Sequence, residues 1–250
     1  MKPYIVLVPG AWHSADCYDY LLPHLQSAGY ETLALTLPSV GAEPPIKSLD
    51  PDVDHIRSHL IPLLDQGKEV VLVMHSYGGI PGSSAVKGLS KTDRQAEGHA
   101  GGVAALVYLC AWMINEGNTT RSSGGGRGGK IGPSSLKIED DKVTHLMPVP
   151  AFYHDVPQDI AEAAADKLRH HSEPTLTSPC QYSAHKYIPT TYLLCKNDQM
   201  IPYERQLALV ESADAPLTTF TCDASHSPFL SQPELTAKVI RHASGEEVEV

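Results

Sequence analysis

A serine that lies between an apolar run and two glycines constrains the fold of this chain most strongly. Residues 70–79 have the sequence Val-Val-Leu-Val-Met-His-Ser-Tyr-Gly-Gly. The apolar part has the length and the β-branched side chains of a buried strand, and the residues after the glycines are compatible with a helix. A sharp turn between the two would expose the hydroxyl of Ser76 above a parallel sheet, with Gly78 and Gly79 leaving room for the backbone. The segment therefore predicts a turn that carries a nucleophile, followed by a helix whose free N–H groups face it.

The spacing of this segment is not by itself decisive. The usual pattern is Gly-x-Ser-x-Gly, and Met74 stands where the first glycine is expected. Ser76 could be an ordinary turn serine, and the choice depends on whether the chain also supplies a base, an acid and an oxyanion donor. The neighbouring His75 is interpreted as a packed core histidine rather than as a second base.

The alternation of strand and helix patterns predicts an α/β fold with a mostly parallel sheet that is covered by helices on both faces. Apolar runs of strand length lie at residues 4–8, 32–37, 70–74, 103–109, 190–195 and 217–222. Helix patterns lie at residues 16–28, 53–64, 81–89, 203–212 and 232–242. We expect a single domain over residues 1–250.

The alternation stops between residues 113 and 189, and we expect this segment to be a cap inserted into the domain. It contains a glycine-rich stretch, residues 121–132, and then a candidate amphipathic helix, residues 157–171, with His170 and His171 at its solvated end. Gly124 to Lys130 matches the phosphate-loop spacing, but Ile131 replaces the required Ser or Thr and no strand precedes it. The stretch is therefore interpreted as a flexible cap loop.

Composition narrows the function classes. The formal net charge of −10 and the pI of about 5.7 argue against nucleic acid or an anionic membrane as the main partner. No apolar run approaches the roughly 18 to 20 residues of a membrane span, and no secretory segment is expected at the start of the chain. The five cysteines are odd in number and have no Cys-x-x-Cys spacing, which favours reduced thiols and a cytoplasmic protein. No metal site is predicted, because no ligand set has metal spacing.

Two further residues follow predicted strands and could complete a catalytic set with Ser76. Asp198 comes just after the run that ends at residue 195, and His226 lies in the loop after the last strand run. The carboxyl edge of an open parallel sheet is where such side chains meet. A serine nucleophile needs a base to take its proton and an acid to orient the base. Asp223 is the rival acid, but it lies in the same loop as His226 and is poorly placed to reach back to the ring.

With its Ser, Asp, His order and its glycine turn at Pro9-Gly10, the chain resembles the α/β-hydrolase fold over nearly its whole length. It is similar to the compact branch that contains plant methylesterases and hydroxynitrile lyases. The resemblance implies that Ser76 is the nucleophile, Asp198 the acid and His226 the base. It also implies an oxyanion hole formed by the backbone N–H groups of Tyr77 and Ala11, with Trp12 as the alternative to Ala11. Ser227 stands where the lyases carry a lysine, which disfavours a lyase.

The expected function is a serine hydrolase that cleaves a carboxylic ester or lactone of a small, moderately apolar molecule without a cofactor. C–C bond cleavage or cyclisation on the same scaffold, and a non-catalytic small-molecule receptor, are the alternatives. Because no cluster of Arg and Lys surrounds the triad segments, a phosphorylated or polyanionic substrate is not expected. The candidate substrate-binding residues are His13, Trp112, Met147, Phe152 and Tyr153.

Overall fold

The computed structural model describes residues 2–250, which form a central parallel sheet and a smaller antiparallel one. The nine strands of this region are β1 Tyr4–Val8, β2 Thr32–Ala34, β3 Glu69–His75, β4 Gly102–Leu109, β5 Leu136–Glu139, β6 Lys142–His145, β7 His171–Ser172, β8 Thr190–Cys195 and β9 Leu217–Cys222. The central sheet has the order β2-β1-β3-β4-β8-β9, and every pairing in it is parallel. The expected parallel α/β fold is confirmed.

Helices connect the strands of the central sheet and cover it. The α-helices are α1 Leu22–Ser27, α2 Asp50–Asp65, α3 Gly79–Ala85, α4 Lys91–Ala96, α5 Pro148–Phe152, α6 Gln158–Asp166, α7 Glu173–Leu176, α8 Tyr203–Glu211, α9 Pro228–Ser231 and α10 Pro233–Ala243. Several of them, including α1, α2 and α10, carry a proline in the first turn, where the missing N–H costs nothing.

The core lies on both faces of the central sheet. Strand side chains alternate between the faces, so Val6 and Leu72 belong to one apolar cluster while Ile5 and Val71 belong to the other. All four side chains are fully buried. Burial on both faces explains why these strands appear in the sequence as continuous apolar runs rather than as alternating ones.

The segment of residues 113–189 lies between β4 and β8, which are neighbours in the central sheet. It contains the antiparallel strands β5, β6 and β7 and the helices α5, α6 and α7. Several contacts attach it to the rest of the chain. Among them, the Trp12 indole N–H donates to the Val143 carbonyl at 2.9 Å, and His171 forms a β-bridge with Val40. The segment stands over the carboxyl edge of the sheet, beside the loop that carries Trp12.

Some elements differ from the sequence expectation. The pattern at residues 16–28 is split into a 3-10 turn, Ala15–Tyr18, and helix α1, because Pro23 can enter a helix only in its first turn. The helix expected to run to residue 171 ends at Asp166. The backbone N–H of Arg169 and the carbonyl of His170 instead bond to Trp12 and Gly41.

The expectation that His171 lies at a solvated helix end is therefore wrong, because His171 begins β7 and is fully buried. Within residues 2–250, no helix has the length and apolar character needed to cross a bilayer.

Candidate active site

The turn after β3 holds Ser76 in a conformation that few non-glycine residues adopt. Ser76 has a φ of +52°, and the 3-10 turn Ser76–Gly78 leads directly into α3. A Cβ atom on Gly78 would lie 2.5 Å from the Pro9 carbonyl oxygen, and one on Gly79 would lie 2.5 Å from the Trp112 carbonyl oxygen. The two glycines are therefore needed because neighbouring backbone approaches the turn closely. The Trp112 N–H donates to the Ser76 carbonyl at 3.0 Å and fixes the turn from the other side.

The bulky residue before this turn is accommodated by a glycine in the next helix. Met74 is fully buried, and a Cβ atom on Gly82 would lie 2.5 Å from its sulfur. The thioether thus occupies space that any side chain at position 82 would fill. Met74 can therefore replace the glycine of the usual turn pattern because Gly82 leaves room for its side chain.

Ser76, His226 and Asp198 form a continuous chain of hydrogen bonds. Ser76 Oγ lies 2.8 Å from His226 Nε2, and His226 Nδ1 lies 2.7 Å from Asp198 Oδ2. Asp198 has no exposed surface, and His226 is 1% exposed. The imidazole therefore has a carboxylate on one nitrogen and a hydroxyl on the other, which is the arrangement required to take a proton from Ser76.

The Asp198 carboxylate is held by three further donors. Its Oδ1 accepts from the backbone N–H groups of Met200 at 2.7 Å and Ile201 at 2.9 Å, and its Oδ2 accepts from Gln206 Nε2 at 3.1 Å. Gln206 is fully buried on α8 and also bonds to both backbone groups of Cys195. Sequence reasoning did not identify Gln206. Its signal was a polar residue three positions before Leu209, on the buried face of an amphipathic helix.

Asp223 lies apart from this hydrogen-bond chain. Its side chain is 74% exposed, and its Oδ1 pairs with Lys196 Nζ at 3.1 Å. Asn197 Nδ2 donates to the Asp223 carbonyl at 2.6 Å, so the residue acts as part of a surface turn.

Two other histidines beside the triad are buried and neutral. His75 Nε2 lies 2.7 Å from the His226 carbonyl oxygen, and burial holds the pKa of His75 well below its usual value. His13 Nδ1 lies 2.7 Å from the Ala11 carbonyl oxygen, and its Nε2 lies 2.8 Å from the Tyr153 hydroxyl. Burial lowers the pKa of His13 to about 4. Both side chains therefore position backbone groups around the site rather than carry charge.

The candidate oxyanion donors lie next to Ser76. Ala11, Trp12 and Tyr77 line the same cavity as Ser76. Tyr77 is the second residue of the turn that begins at Ser76. Its N–H lies at the start of the helix, where backbone N–H groups have no acceptor within the helix. The ring of Tyr77 is held at its hydroxyl, which donates to Asp52 Oδ2 at 2.8 Å.

The cavity that contains Ser76 has a volume of about 670 Å³. Of the expected substrate-binding residues, Trp112 lines it. His13 and Tyr153 line a separate cavity of about 290 Å³. Phe152 is fully buried, and the centroid of its ring lies 5.8 Å from that of the His226 imidazole. Met147 is 47% exposed and lines neither cavity.

The glycine-rich stretch forms part of the wall of the Ser76 cavity. Gly125, Gly126 and Gly128 line it together with Arg121 and Arg127. Two arginines therefore line the cavity of Ser76, although no cluster of Arg and Lys surrounds the triad segments in the sequence. Their distance along the chain from Ser76, Asp198 and His226 hid this, because only the fold of the inserted segment brings the stretch over the site.

One buried group could in principle hold a metal ion. The side-chain ligand atoms of His75, Cys110 and His226 lie within 4.8 Å of one another. Both ring nitrogens of His226 are already engaged by Ser76 and Asp198. The group does not fit a resident metal, because binding one would break the hydrogen-bond chain of the site.

Comparison with known proteins agrees with the fold. The sequence profile of the "Alpha/beta hydrolase family" matches residues 5–239. The chain is 32% identical over 264 residues to alpha/beta hydrolase nvfD of Aspergillus novofumigatus, covering 100% of both chains. It is 29% identical over 252 residues to probable hydrolase R7 of a Phoma species, covering 98% of this chain and 99% of the relative.

The fold is also shared with solved structures. A crystal structure of polyneuridine aldehyde esterase superimposes with a TM-score of 0.78 at 21% identity, covering 98% of this chain and 100% of that one. The profile match spans the central sheet and the inserted segment, and the identity to nvfD extends over the full chain. This chain belongs to the alpha/beta hydrolase family.

Proposed function

We propose that this protein is a serine hydrolase that cleaves a carboxylic ester or lactone of a small, moderately apolar molecule. The observation that carries the proposal is the hydrogen-bond chain from Ser76 through His226 to Asp198, with Ser76 at the wall of a cavity of about 670 Å³. A cavity of this size is in the usual range for small-molecule sites. The family relationship supports hydrolysis as the reaction class.

In the first half of the reaction, Ser76 Oγ attacks the carbonyl carbon of the ester and His226 Nε2 accepts the hydroxyl proton. The carbonyl π electrons move to its oxygen, and the N–H groups of Tyr77 and Ala11 stabilise the resulting oxyanion, with Trp12 as the alternative donor. Collapse of the tetrahedral intermediate breaks the C–O bond. His226 returns the proton to the leaving alkoxide, and the acyl group remains on Ser76.

In the second half, a water molecule attacks the acyl-enzyme while His226 accepts its proton. Collapse of this second tetrahedral intermediate releases the carboxylic acid, and the proton returns to Ser76 Oγ. Asp198 keeps the proton of His226 on Nδ1, which leaves Nε2 as the acceptor in both halves. These steps use side chains of this chain and water, so they need no cofactor.

The apolar part of the wall supports a substrate of modest polarity. Trp112, Leu136, Val143 and Met200 line the cavity beside the nucleophile. We expect short aryl esters, aromatic lactones and methyl esters to be good substrates, with rates that fall for acyl chains beyond roughly eight carbons as the available burial runs out.

A fluorophosphonate probe followed by mass mapping of the labelled peptide tests the proposal, together with a panel of p-nitrophenyl esters. We expect a single label on Ser76, no label on S76A, and full labelling of S227A, a control that removes another buried serine hydroxyl. Short esters should be hydrolysed by the wild type and by S227A only. A label at another residue would contradict the nucleophile assignment. Labelling of Ser76 without hydrolysis of any ester or lactone would favour C–C cleavage, cyclisation or a receptor.

We place the protein in the cytoplasm and expect a small molecule to be its partner. All five cysteines are unpaired, including Cys195 and Cys222, which lie opposite each other on neighbouring strands. Unpaired thiols are typical of proteins from reducing compartments.

A further inference from the structure

The wall of the Ser76 cavity carries an excess of positive charge. Its charged side chains are Arg121, Arg127 and Glu173, so two cations face one carboxylate. The chain as a whole has a formal net charge of −10. The wall therefore differs in sign from the rest of the protein, and an anionic group would find a favourable potential there.

Arg127 and Glu173 satisfy each other. Arg127 Nη2 lies 2.6 Å from Glu173 Oε1, and the Glu173 side chain is only 18% exposed. Glu173 is the first residue of helix α7, so the ion pair joins this helix to the glycine-rich stretch that carries Arg127. The pair leaves no net charge on the wall from these two residues.

Arg121 has no such partner. Across residues 2–250, its guanidinium forms no ion pair, and no side-chain hydrogen bond from it is found. Its backbone is nevertheless fixed: the Gly124 N–H donates to the Arg121 carbonyl at 3.1 Å, and Gly125 N–H donates to the Thr120 carbonyl at 2.7 Å. Thr120 Oγ1 also donates to the Leu176 carbonyl at 2.9 Å. Arg121 is thus an exposed, unpaired arginine on an anchored turn that lines the cavity.

The rest of the wall limits what this guanidinium can bind. Much of the remaining lining is apolar, with Trp112, Leu136 and Val143 among its residues. A ligand that fills the cavity would therefore match this lining best with an apolar body that joins its reacting carbonyl to a charged end. A single guanidinium with no competing carboxylate matches one carboxylate, which it can bind through two parallel N–H bonds.

We propose that Arg121 forms a carboxylate-binding subsite in the Ser76 cavity. The substrate class is then a half-ester or a lactone acid, in which a free carboxylate lies across an apolar spacer from the carbonyl that Ser76 attacks. This inference rests on the proposed hydrolase function for its catalytic readout. The carboxylate subsite itself depends only on Arg121 and the cavity.

Matched substrates test the subsite by turnover. The p-nitrophenyl half-esters of the dicarboxylic acids from succinate to suberate are compared with neutral p-nitrophenyl alkanoates of equal chain length. We expect kcat/KM to favour the half-ester by about 10-fold at one spacer length, as a partly exposed charge-assisted pair would give. R121M should abolish this preference, R121K should keep part of it, and added salt should reduce it.

Lys130 provides the matched control. It lies in the same glycine-rich stretch, carries the same charge and lines a neighbouring cavity without lining that of Ser76. K130M should keep the preference for the half-ester. Equal loss of preference in R121M and K130M would mean that long-range attraction alone is at work and would overturn the subsite.

A binding measurement separates the subsite from the hydrolase proposal. Dicarboxylic acid monoamides, which resist hydrolysis, are titrated calorimetrically into the wild type and R121M. The subsite predicts binding about 10-fold weaker in R121M than in the wild type. Equal binding would overturn the subsite even if neutral esters are hydrolysed. A difference in binding without any ester turnover would support the subsite and contradict the hydrolase function.

Discussion

The hydroxyl of Tyr77 donates a hydrogen bond of 2.8 Å to Oδ2 of Asp52, a carboxylate with no exposed surface. The other oxygen of Asp52 accepts from the Ser39 N–H at 2.9 Å. Burial raises the pKa of Asp52, because no cation offsets the loss of water. Asp52 also lies in the first turn of α2, where the helix dipole favours a negative charge. The residue proposed to donate an N–H to the oxyanion is thus anchored through its side chain to a second helix.

Removing the Tyr77 hydroxyl tests this anchor. In Y77F, one oxygen of Asp52 loses its donor while it remains buried, which should cost about 1–3 kcal/mol of the free energy of unfolding. The turn that positions the Tyr77 N–H also loses a restraint. We expect kcat on a short ester to fall about 10-fold, less than the loss for deleting an oxyanion donor outright.

The control for Y77F is Y108F. Tyr108 is equally buried, and its hydroxyl lies 2.6 Å from Ser83 Oγ, in a contact that involves no triad residue. Urea unfolding should show that both variants lose stability, while only Y77F loses kcat. A kcat of Y77F equal to that of Y108F would mean that the anchor has no part in catalysis.

Asp198 and Asp223 should differ sharply on substitution. D198N would favour the imidazole tautomer that cannot accept the Ser76 proton, so kcat should fall by on the order of 10⁴. D223N removes only an exposed ion pair with Lys196, and its kcat should stay within about 2-fold of the wild type. Steady-state kinetics on one short ester decides between them. A larger loss in D223N than in D198N would exclude Asp198 as the acid.

Met74 and Gly82 should show strong energetic coupling. G82A places a methyl group against the Met74 thioether and should destabilise the protein by about 1–3 kcal/mol through overpacking. M74A should cost about 2–5 kcal/mol because it leaves a cavity. The double variant should be more stable than the sum of the single effects predicts, by at least about 1 kcal/mol, because each change fills or empties the same space. Additive unfolding free energies from urea titrations would show that the two residues do not share that space.

Acid should destabilise this protein through its buried histidines. Burial lowers the pKa of both His13 and His145 to about 4, from the usual value of 6.5. The unfolded chain binds protons as the pH falls through 6.5, while the folded chain does not until about pH 4, so stability is lost in that window. His13 should cost roughly 2 kcal/mol of the free energy of unfolding between pH 7 and pH 5, and the less deeply buried His145 should cost less because solvent screens its charge.

The variant H145Q isolates one of these contributions. His145 Nε2 is buried without a hydrogen-bond partner, so its substitution breaks no hydrogen bond of that atom. Glutamine is neutral at every pH, so it removes the titration of this position from both the folded and the unfolded chain. Urea unfolding at pH 7, 6 and 5 should show a shallower loss of stability in H145Q than in the wild type. Parallel pH dependences in the two proteins would mean that His145 titrates equally in the folded and unfolded states.

The strands and the order of the triad segments could be predicted because the required signals are local. Buried parallel strands such as β3 and β8 appear as apolar runs, and Ser76, Asp198 and His226 each lie within four residues of the end of a strand. The carboxyl ends of these strands meet at one edge of the sheet, so contact between the three side chains follows from topology.

The rest of the site depends on contacts between distant parts of the chain. The pairing of Tyr77 with Asp52, the burial of His171 and the position of Arg121 at the cavity wall leave no periodic pattern in the sequence. Short elements such as β7 and α7 are also set by tertiary contacts rather than by propensity. Long-range pairs such as Tyr77 with Asp52, and most side chains of residues 113–189, therefore could not be placed in advance.

Rapid quenching tests the central claim that Ser76 becomes acylated. The wild type, S76A and H226A are each mixed separately with p-nitrophenyl acetate. Each reaction is quenched in acid within the first turnover, and the protein is digested for mass spectrometry. The mechanism predicts that the acetyl group is found on the peptide that contains Ser76 in the wild type, and that S76A carries none. H226A should acylate far more slowly because no base takes the Ser76 proton. Hydrolysis of the ester by S76A at a rate near that of the wild type, or acetylation at another residue alone, would contradict the mechanism.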